Sequence, residues 1–116
     1  MTFEPLDVVV VPFPFTDRQA VKRRPAIVVS APEFNRNHEQ SVLAMVTSST
    51  RDPWPSDVPL EDWRDANLTV PCRVRLKLFT LDHGLVLRRL GALSERDGQA
   101  VLRSLASCLA TGAPAQ

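Results

Sequence analysis

Three groups of residues have the types and spacing to hold a phosphate ester. The first is the basic cluster Lys22-Arg23-Arg24, which runs directly into Pro25. Arginine is permanently charged and presents a planar fork of donors that suits phosphate oxygens. A residue before proline is pushed toward extended conformations, so Arg24 is held more rigidly than an ordinary loop arginine. The second group is Thr47-Ser48, at the end of the run SVLAMVTS. A hydroxyl there can donate to the same anion or orient a neighbouring hydroxyl. The third is Arg73, Arg75 and Lys77, alternating with Cys72, Val74, Leu76 and Leu78. Period two puts the apolar residues on one face of a strand and the cations on the other. On residue type alone the plainer reading prevails for Arg24 and Thr47 and stands level for the stripe. Arg24 reads as a solvated arginine, Thr47 as an edge threonine with β propensity, and the stripe as a face neutralised by acids such as Glu61 and Asp62.

Other chemistries are poorly supplied. His38 and His83 titrate in a useful range but fall in expected loops and read as surface histidines. Asp17 lies in the first loop near the basic cluster, and Asp82 reads as a turn cap. None is assigned as general acid or base. Cys72 and Cys108 are far apart without metal-ligand spacing, so they read as reduced thiols. No metal or other cofactor is expected. Trp54, set among prolines, can stack a base, contact a partner or anchor its loop.

Short strands must position these groups. Asp7–Phe13 is a valine run, expected as a strand buried on both faces. The segment 14–24 reads as a polar loop, Pro25–Ser30 as the second strand, Ala31–Gln40 as another loop and Ser41–Ser48 as the third strand. Ser49–Pro59 is a proline-rich loop with a short strand near Val58–Leu60, and Glu61–Asn67 a single helical turn. Cys72–Leu78 and Leu87–Leu93 are further strands, with Gly91 marking a bulge or a close backbone approach. Ser94 opens a helix through a capping box in which Asp97 replaces the usual Glu or Gln. Val101, Leu102, Leu105, Cys108 and Leu109 share one side of it, and Gly112 stops it. Five to seven short strands and one amphipathic helix fit a small, strongly bent β-barrel.

With 116 residues, 44% of them hydrophobic, the chain can fill one core but not two, so 1–116 is expected to be one domain. A net charge of +1 argues neither for nor against a nucleic-acid partner; the placement of charge matters more. The segment Met1–Asp7 lacks the basic start of a signal peptide, and the apolar run Val8–Phe15 is too short to span a bilayer. A cytoplasmic protein is expected.

The ordered motifs resemble the PemK/MazF family of toxin–antitoxin ribonucleases. The opening DVVVVPFPFTD from Asp7, then KRRPAIVVS from Lys22, is similar to the family's first two strands. AMVTS from Ala44 resembles its third-strand motif, and KLFTLD from Lys77 with LGALS from Leu90 its C-terminal third. The resemblance covers about Asp7 to Leu109 and implies an SH3-like β-barrel, mainly β, with a C-terminal α-helix. It implies a metal-independent endoribonuclease that cleaves single-stranded RNA such as mRNA, leaves a 2′,3′-cyclic phosphate and inhibits growth. It also implies a homodimer and a cognate antitoxin protein. Matched residue by residue, it makes Arg24 and Thr47 catalytic, with Ser48, Arg23, Lys22, Arg73, Arg75 and Lys77 on the substrate. One departure stands out. Some members carry an Arg-x-Asp pair on the strand matching Cys72–Leu78, where Thr80 sets the register at Val74 and Leu76. A one-residue slip reverses the face, so only a bulge would bring Arg73 or Arg75 to the site. Two alternatives follow: a gyrase-directed toxin of the CcdB type, and an inactive relative that only binds antitoxin or RNA.

Overall fold

The computed structural model describes residues 2–13 and 22–110. Its elements are β1 (Asp7–Phe13), β2 (Lys22–Val28), α1 (Pro32–His38), β3 (Gln40–Ser48), β4 (Val58–Pro59), β5 (Cys72–Asp82), β6 (Arg88–Ala92) and α2 (Glu95–Cys108). One antiparallel sheet runs β4-β5-β3-β2-β1-β6 and curls into a half-barrel. This is the mainly β architecture with a C-terminal helix that the sequence led us to expect. Asp17, its basic neighbour Arg18, which would extend the basic cluster, and the expected stop at Gly112 lie outside the described residues.

The valines of β1 are buried on both faces, as their unbroken run requires. Val8 packs with Ile27, Val46, Val74 and Val101 of α2, whereas Val9 and Val11 pack with Phe3, Val28, Leu43 and Leu81. Alternation along the strand thus feeds two apolar clusters from one sequence run. No described helix is long and apolar enough to cross a membrane.

Several boundaries differ from the sequence reading. β2 starts at Lys22, three residues before Pro25. Its ladder to β1 continues through Pro25 to Phe13↔Lys22, but its ladder to β3 ends at Ala26↔Met45. Proline has no N–H to extend that second ladder. The expected loop at Ala31–Gln40 contains α1, which has Pro32 in its first turn and Glu39 in the left-handed region at φ 51°. This helix shows no apolar stripe because its only buried residue is polar. Asn35 donates to the Phe3 carbonyl (2.9 Å) and accepts from the Ser41 hydroxyl (3.0 Å) and from Ser30. Ser41 has given its proton to Asn35, so its 2.8 Å contact with His83 Nε2 requires that nitrogen to donate. His83 is therefore a structural residue, edge-on to Phe3 at 5.0 Å.

Residues 61–68 and the start of α2 are joined by Asp97 rather than by a reciprocal capping box. The Ser94 hydroxyl accepts from Asp97 N, as a cap should, but the Asp97 carboxylate turns away from the helix. It accepts from Glu61 N at 2.9 Å and Asp62 N at 2.8 Å. Asp62 in turn accepts from Ser94 and Arg96, which hold its carboxyl down at about 2. Gly91 makes the anticipated close approach, since a Cβ there would lie 3.1 Å from Asn67 Nδ2. It also adjoins a register shift in the β1–β6 ladder. Of the apolar side foreseen for α2, only Val101 is fully buried; Leu102 and Leu109 are exposed, and the helix ends at Cys108.

Asp97 is 2% exposed and answers two backbone donors. Replacing it with Ala strands both, at about 1–3 kcal/mol for such a buried loss. Urea denaturation of Asp97→Ala should show a destabilisation of that order, whereas a wild-type midpoint would mean that water replaces the carboxylate.

Candidate functional site

The site forms where β2 and β3 part company. Continuing their register beyond Ala26↔Met45 sets Arg24 opposite Thr47 and Arg23 opposite Ser48. Two clefts share the wall made by Arg24, Val46 and Thr47. The larger, about 360 Å³, has Lys22, Arg23 and Ser48 on its near side and Leu68, Thr69 and Val70 across from them. The smaller, about 190 Å³, is bounded by Phe13, Met45, Arg51, Arg75 and Lys77. Among the described residues, no acidic residue lines either cleft.

Arg24 is held from behind. Its guanidinium carbon lies 5.0 Å from the centroid of the Phe13 ring, within cation–π range. Its Nε is buried with no hydrogen-bond partner among the described residues. A buried donor on a fixed cation is costly unless something accepts from it. Thr47 is 9% exposed and faces the same wall. The Ser48 hydroxyl is engaged locally, 2.9 Å from Thr50 Oγ1.

The cationic stripe is divided. The β3–β5 register jumps from Ala44↔Leu78 to Met45↔Arg75, so Leu76 and Lys77 form a two-residue bulge. That bulge brings both Arg75 and Lys77 to the smaller cleft, although they precede and follow the apolar Leu76. Arg73 lines neither cleft. It donates to the carbonyls of Ser49 and Arg51 and lies 3.9 Å from the Asp57 carboxylate. The neutralising acid is thus Asp57, not Glu61 or Asp62; Asp62 pairs with Arg96.

Asp57 is the residue that the sequence did not advertise. Its carboxylate takes two bonds from Arg75, at 3.1 Å from Nε and 2.9 Å from Nη2, and a third from Trp54 N. Burial pushes its carboxyl up, but the Arg75 and Trp54 hydrogen bonds and the charges of Arg75 and Arg73 outweigh that and leave it below the usual range. Arg51, also unforeseen, reaches the cleft from the same loop. The only sequence signal was the spacing of Trp54 and Asp57, three residues apart as in a turn, with Asp57 N donating to the Trp54 carbonyl.

Of the remaining candidates Cys72 lines the larger cleft, and the others lie elsewhere among the described residues. Gln40↔Asp82 opens the β3–β5 pairing and Thr47↔Arg73 lies one pair short of its other end, roughly 23 Å away at the rise of a strand. His83 follows Asp82 at the far end, where the Asp82 carboxylate caps Gly84 N at 2.8 Å. His38 packs on Phe34 in α1. Cys72 and Cys108 are both free. Among the described residues, no three His, Cys, Asp or Glu side chains converge as a metal site would need.

This framework is similar to solved toxin structures. An endoribonuclease from a mycobacterial species, in complex with its cognate antitoxin, superposes with a TM-score of 0.74 at 18% identity, covering 97% of this chain and 96% of that one. MazF in a MazE–MazF structure from Deinococcus radiodurans gives 0.71 at 23% identity, covering 95% and 97%. The Mycobacterium tuberculosis toxin MazF-mt6 gives 0.64 at 19% identity, covering 87% and 93%. A comparison with curated proteins returned no match. The model of one family, the PemK-like, MazF-like toxins of type II toxin–antitoxin systems, matches residues 4–109. That stretch contains every strand framing the two clefts and the helix behind them, and the chain belongs to this family.

Proposed function

We propose that this toxin is an endoribonuclease that cleaves single-stranded RNA, mRNA included, without a metal ion. The observation that carries the reading is the Arg24–Thr47 wall: a guanidinium with a buried donor that has no partner among the described residues, beside a hydroxyl, between two clefts whose described charged lining residues are all cations. A phosphate there would accept from Arg24 and Thr47, and the chain on either side would run into one cleft or the other.

The 2′-hydroxyl attacks the adjacent phosphorus, the O2′–P bond forms and the P–O5′ bond breaks. The products are a 2′,3′-cyclic phosphate and a 5′-hydroxyl. One proton leaves O2′ and one must reach O5′. Arg24 is suited to the charge that builds on the non-bridging oxygens, because a preorganised cation needs no rearrangement as the reaction proceeds. Thr47 is suited to donate to the same phosphate or to orient the 2′-hydroxyl. Lys22, Arg23 and Ser48 would hold the strand in the larger cleft, and Arg75 and Lys77 in the smaller. Arg73 would act at one remove, through the loop it ties down.

The similar mycobacterial and Deinococcus structures contain antitoxins, which supports a cognate antitoxin here. An acidic segment that is disordered until bound would meet the same cations as RNA and compete for them. A homodimer would double the basic surface and run a groove across its two-fold seam.

Arg24→Ala and Thr47→Ala should each lower RNA cleavage in the presence of a chelator by about 100- to 1,000-fold, the usual cost of removing a donor to developing charge. Circular dichroism should stay unchanged, since neither side chain fills the core. Near-wild-type cleavage by either folded variant would remove that residue from the site. If the wild type binds RNA tightly yet never cleaves it, an inactive RNA-binding relative becomes the better reading.

Lys77 has no ion-pair partner among the described residues, whereas Asp57 partly neutralises Arg73 and Arg75. Lys77→Ala should therefore lower the slope of log affinity against log salt by about 0.7, the value for one phosphate contact on a single strand. An unchanged slope would place Lys77 off the RNA path.

Light scattering at micromolar concentration should give twice the chain mass. The antitoxin's inhibition should weaken as salt rises. A monomer would refute the dimer, and an antitoxin that binds tightly while leaving RNA affinity untouched would refute competition.

A further inference from the structure

The two tryptophans are placed differently. Trp63 packs against the larger apolar cluster, as a structural tryptophan does. Trp54 is 40% exposed and packs on neither cluster. Its loop does not need the indole as an anchor. Arg73 and Arg75 already bind the carbonyls of Ser49, Arg51 and Asp52, and the Asp57 carboxylate fixes Trp54 through its backbone N–H at 2.9 Å. The ring instead meets the Arg75 guanidinium at 4.8 Å and the Lys77 ammonium at 5.6 Å, both of which line the smaller cleft. A loop tied down by these bonds thus presents a 40% exposed indole beside a cationic cleft with no acid among its described lining residues.

We propose that Trp54 is a stacking platform for one nucleobase of the RNA strand, next to the phosphate held at Arg24, with Asp57 as its positioning residue. The proposal rests on the ribonuclease reading above. It commits to a nucleobase because the surroundings combine the two things a single strand offers together: a π-face for the indole and phosphates for Arg51 and Lys77, which have no ion-pair partner among the described residues. Stacking of this kind tolerates any base, so Trp54 would add affinity and register rather than sequence choice.

A Trp63→Phe background leaves Trp54 as the only tryptophan, so its fluorescence reports on this position alone. The probe is a mixed-sequence 2′-O-methyl oligoribonucleotide, which lacks the attacking hydroxyl and cannot be cut. It should quench Trp54, and an oligonucleotide of the same length with abasic sites should not. In the otherwise native chain, Trp54→Ala should weaken binding about ten- to a hundredfold, the range for losing one aromatic–base stack, with the salt slope unchanged. Trp54→Phe should restore most of the affinity, and Asp57→Asn should lower it through the loop, with altered Trp54 emission before RNA is added. Equal quenching by the abasic strand, or wild-type affinity in Trp54→Ala, would overturn the proposal. Quenching by poly-glutamate but not by the oligonucleotide would assign the surface to an acidic protein segment and also overturn it. Cleavage of unmodified RNA is measured in parallel. Base-dependent quenching without cleavage would sink the ribonuclease reading and leave the platform, whereas cleavage without quenching would do the reverse.

Discussion

Pro25 has a backbone nitrogen with nothing to donate, and the site opens beside it. The ladder between β2 and β3 stops at Ala26↔Met45, while the ladder between β2 and β1 continues to Lys22. One side of β2 therefore stays anchored as the other comes free, which lets the sheet part at its most basic point without losing the strand. The same proline restricts Arg24 to extended conformations, and Phe13, paired with Lys22 on β1, lies under the guanidinium. A fixed, partly desolvated cation at a gap in the sheet follows from one residue's missing hydrogen.

The bulge at Leu76–Lys77 is the second constraint. An unbroken strand would keep Arg73, Arg75 and Lys77 on one face in one role. The inserted pair instead shifts β5 relative to β3, and the three cations divide. Arg73 becomes a tether for the loop over residues 49–57, Arg75 both a tether and a wall of the smaller cleft, and Lys77 a wall alone. Asp57 makes this arrangement affordable: its side chain is only 3% exposed, and a buried carboxylate in that position needs the paired bonds that Arg75 supplies. Removing Arg75 would strip the Asp57 carboxylate of two of its three hydrogen bonds and leave it with Trp54 N and the more distant Arg73.

The sequence displayed what periodicity can display. The valine run of β1, the third strand ending at Thr47 and Ser48, and the Ser94 cap of α2 each follow from side-chain alternation or local hydrogen bonding, and each is where the residues said. It could not display α1, because that helix is held by the polar network around Asn35 and carries no apolar stripe to read. Nor could it display the bulge, since the alternation of Cys72–Leu78 is unbroken in the sequence and breaks only in the pairing with β3. Asp57 was hidden for a related reason. An aspartate in a proline-rich loop reads as a turn residue until the partner strand is in place, and its partner lies eighteen positions away. Arg24 and Thr47 could be preferred over their plainer readings only through family resemblance; what folding adds is that they share one wall.

The charge balance explains how a chain with a net charge of only +1 can present a cationic site with no acid among its described lining residues. Several aspartates are engaged in local structure. Asp7 accepts from Glu4 N and pairs with Arg89, Asp62 with Arg96, Asp57 with Arg75, and Asp97 holds two backbone N–H groups. Each such bond occupies a carboxylate, and the charged residues among the described lining of the clefts are Lys22, Arg23, Arg24, Arg51, Arg75 and Lys77. Among the described residues, no acid lines the path of a phosphate chain entering either cleft. The same distribution bears on mechanism. Among the described residues no carboxylate or imidazole lines either cleft, and the side chains that do line them offer electrostatic stabilisation and positioning. An enzyme built this way would derive its rate chiefly from how rigidly Arg24 is held, which leads back to the proline beside it.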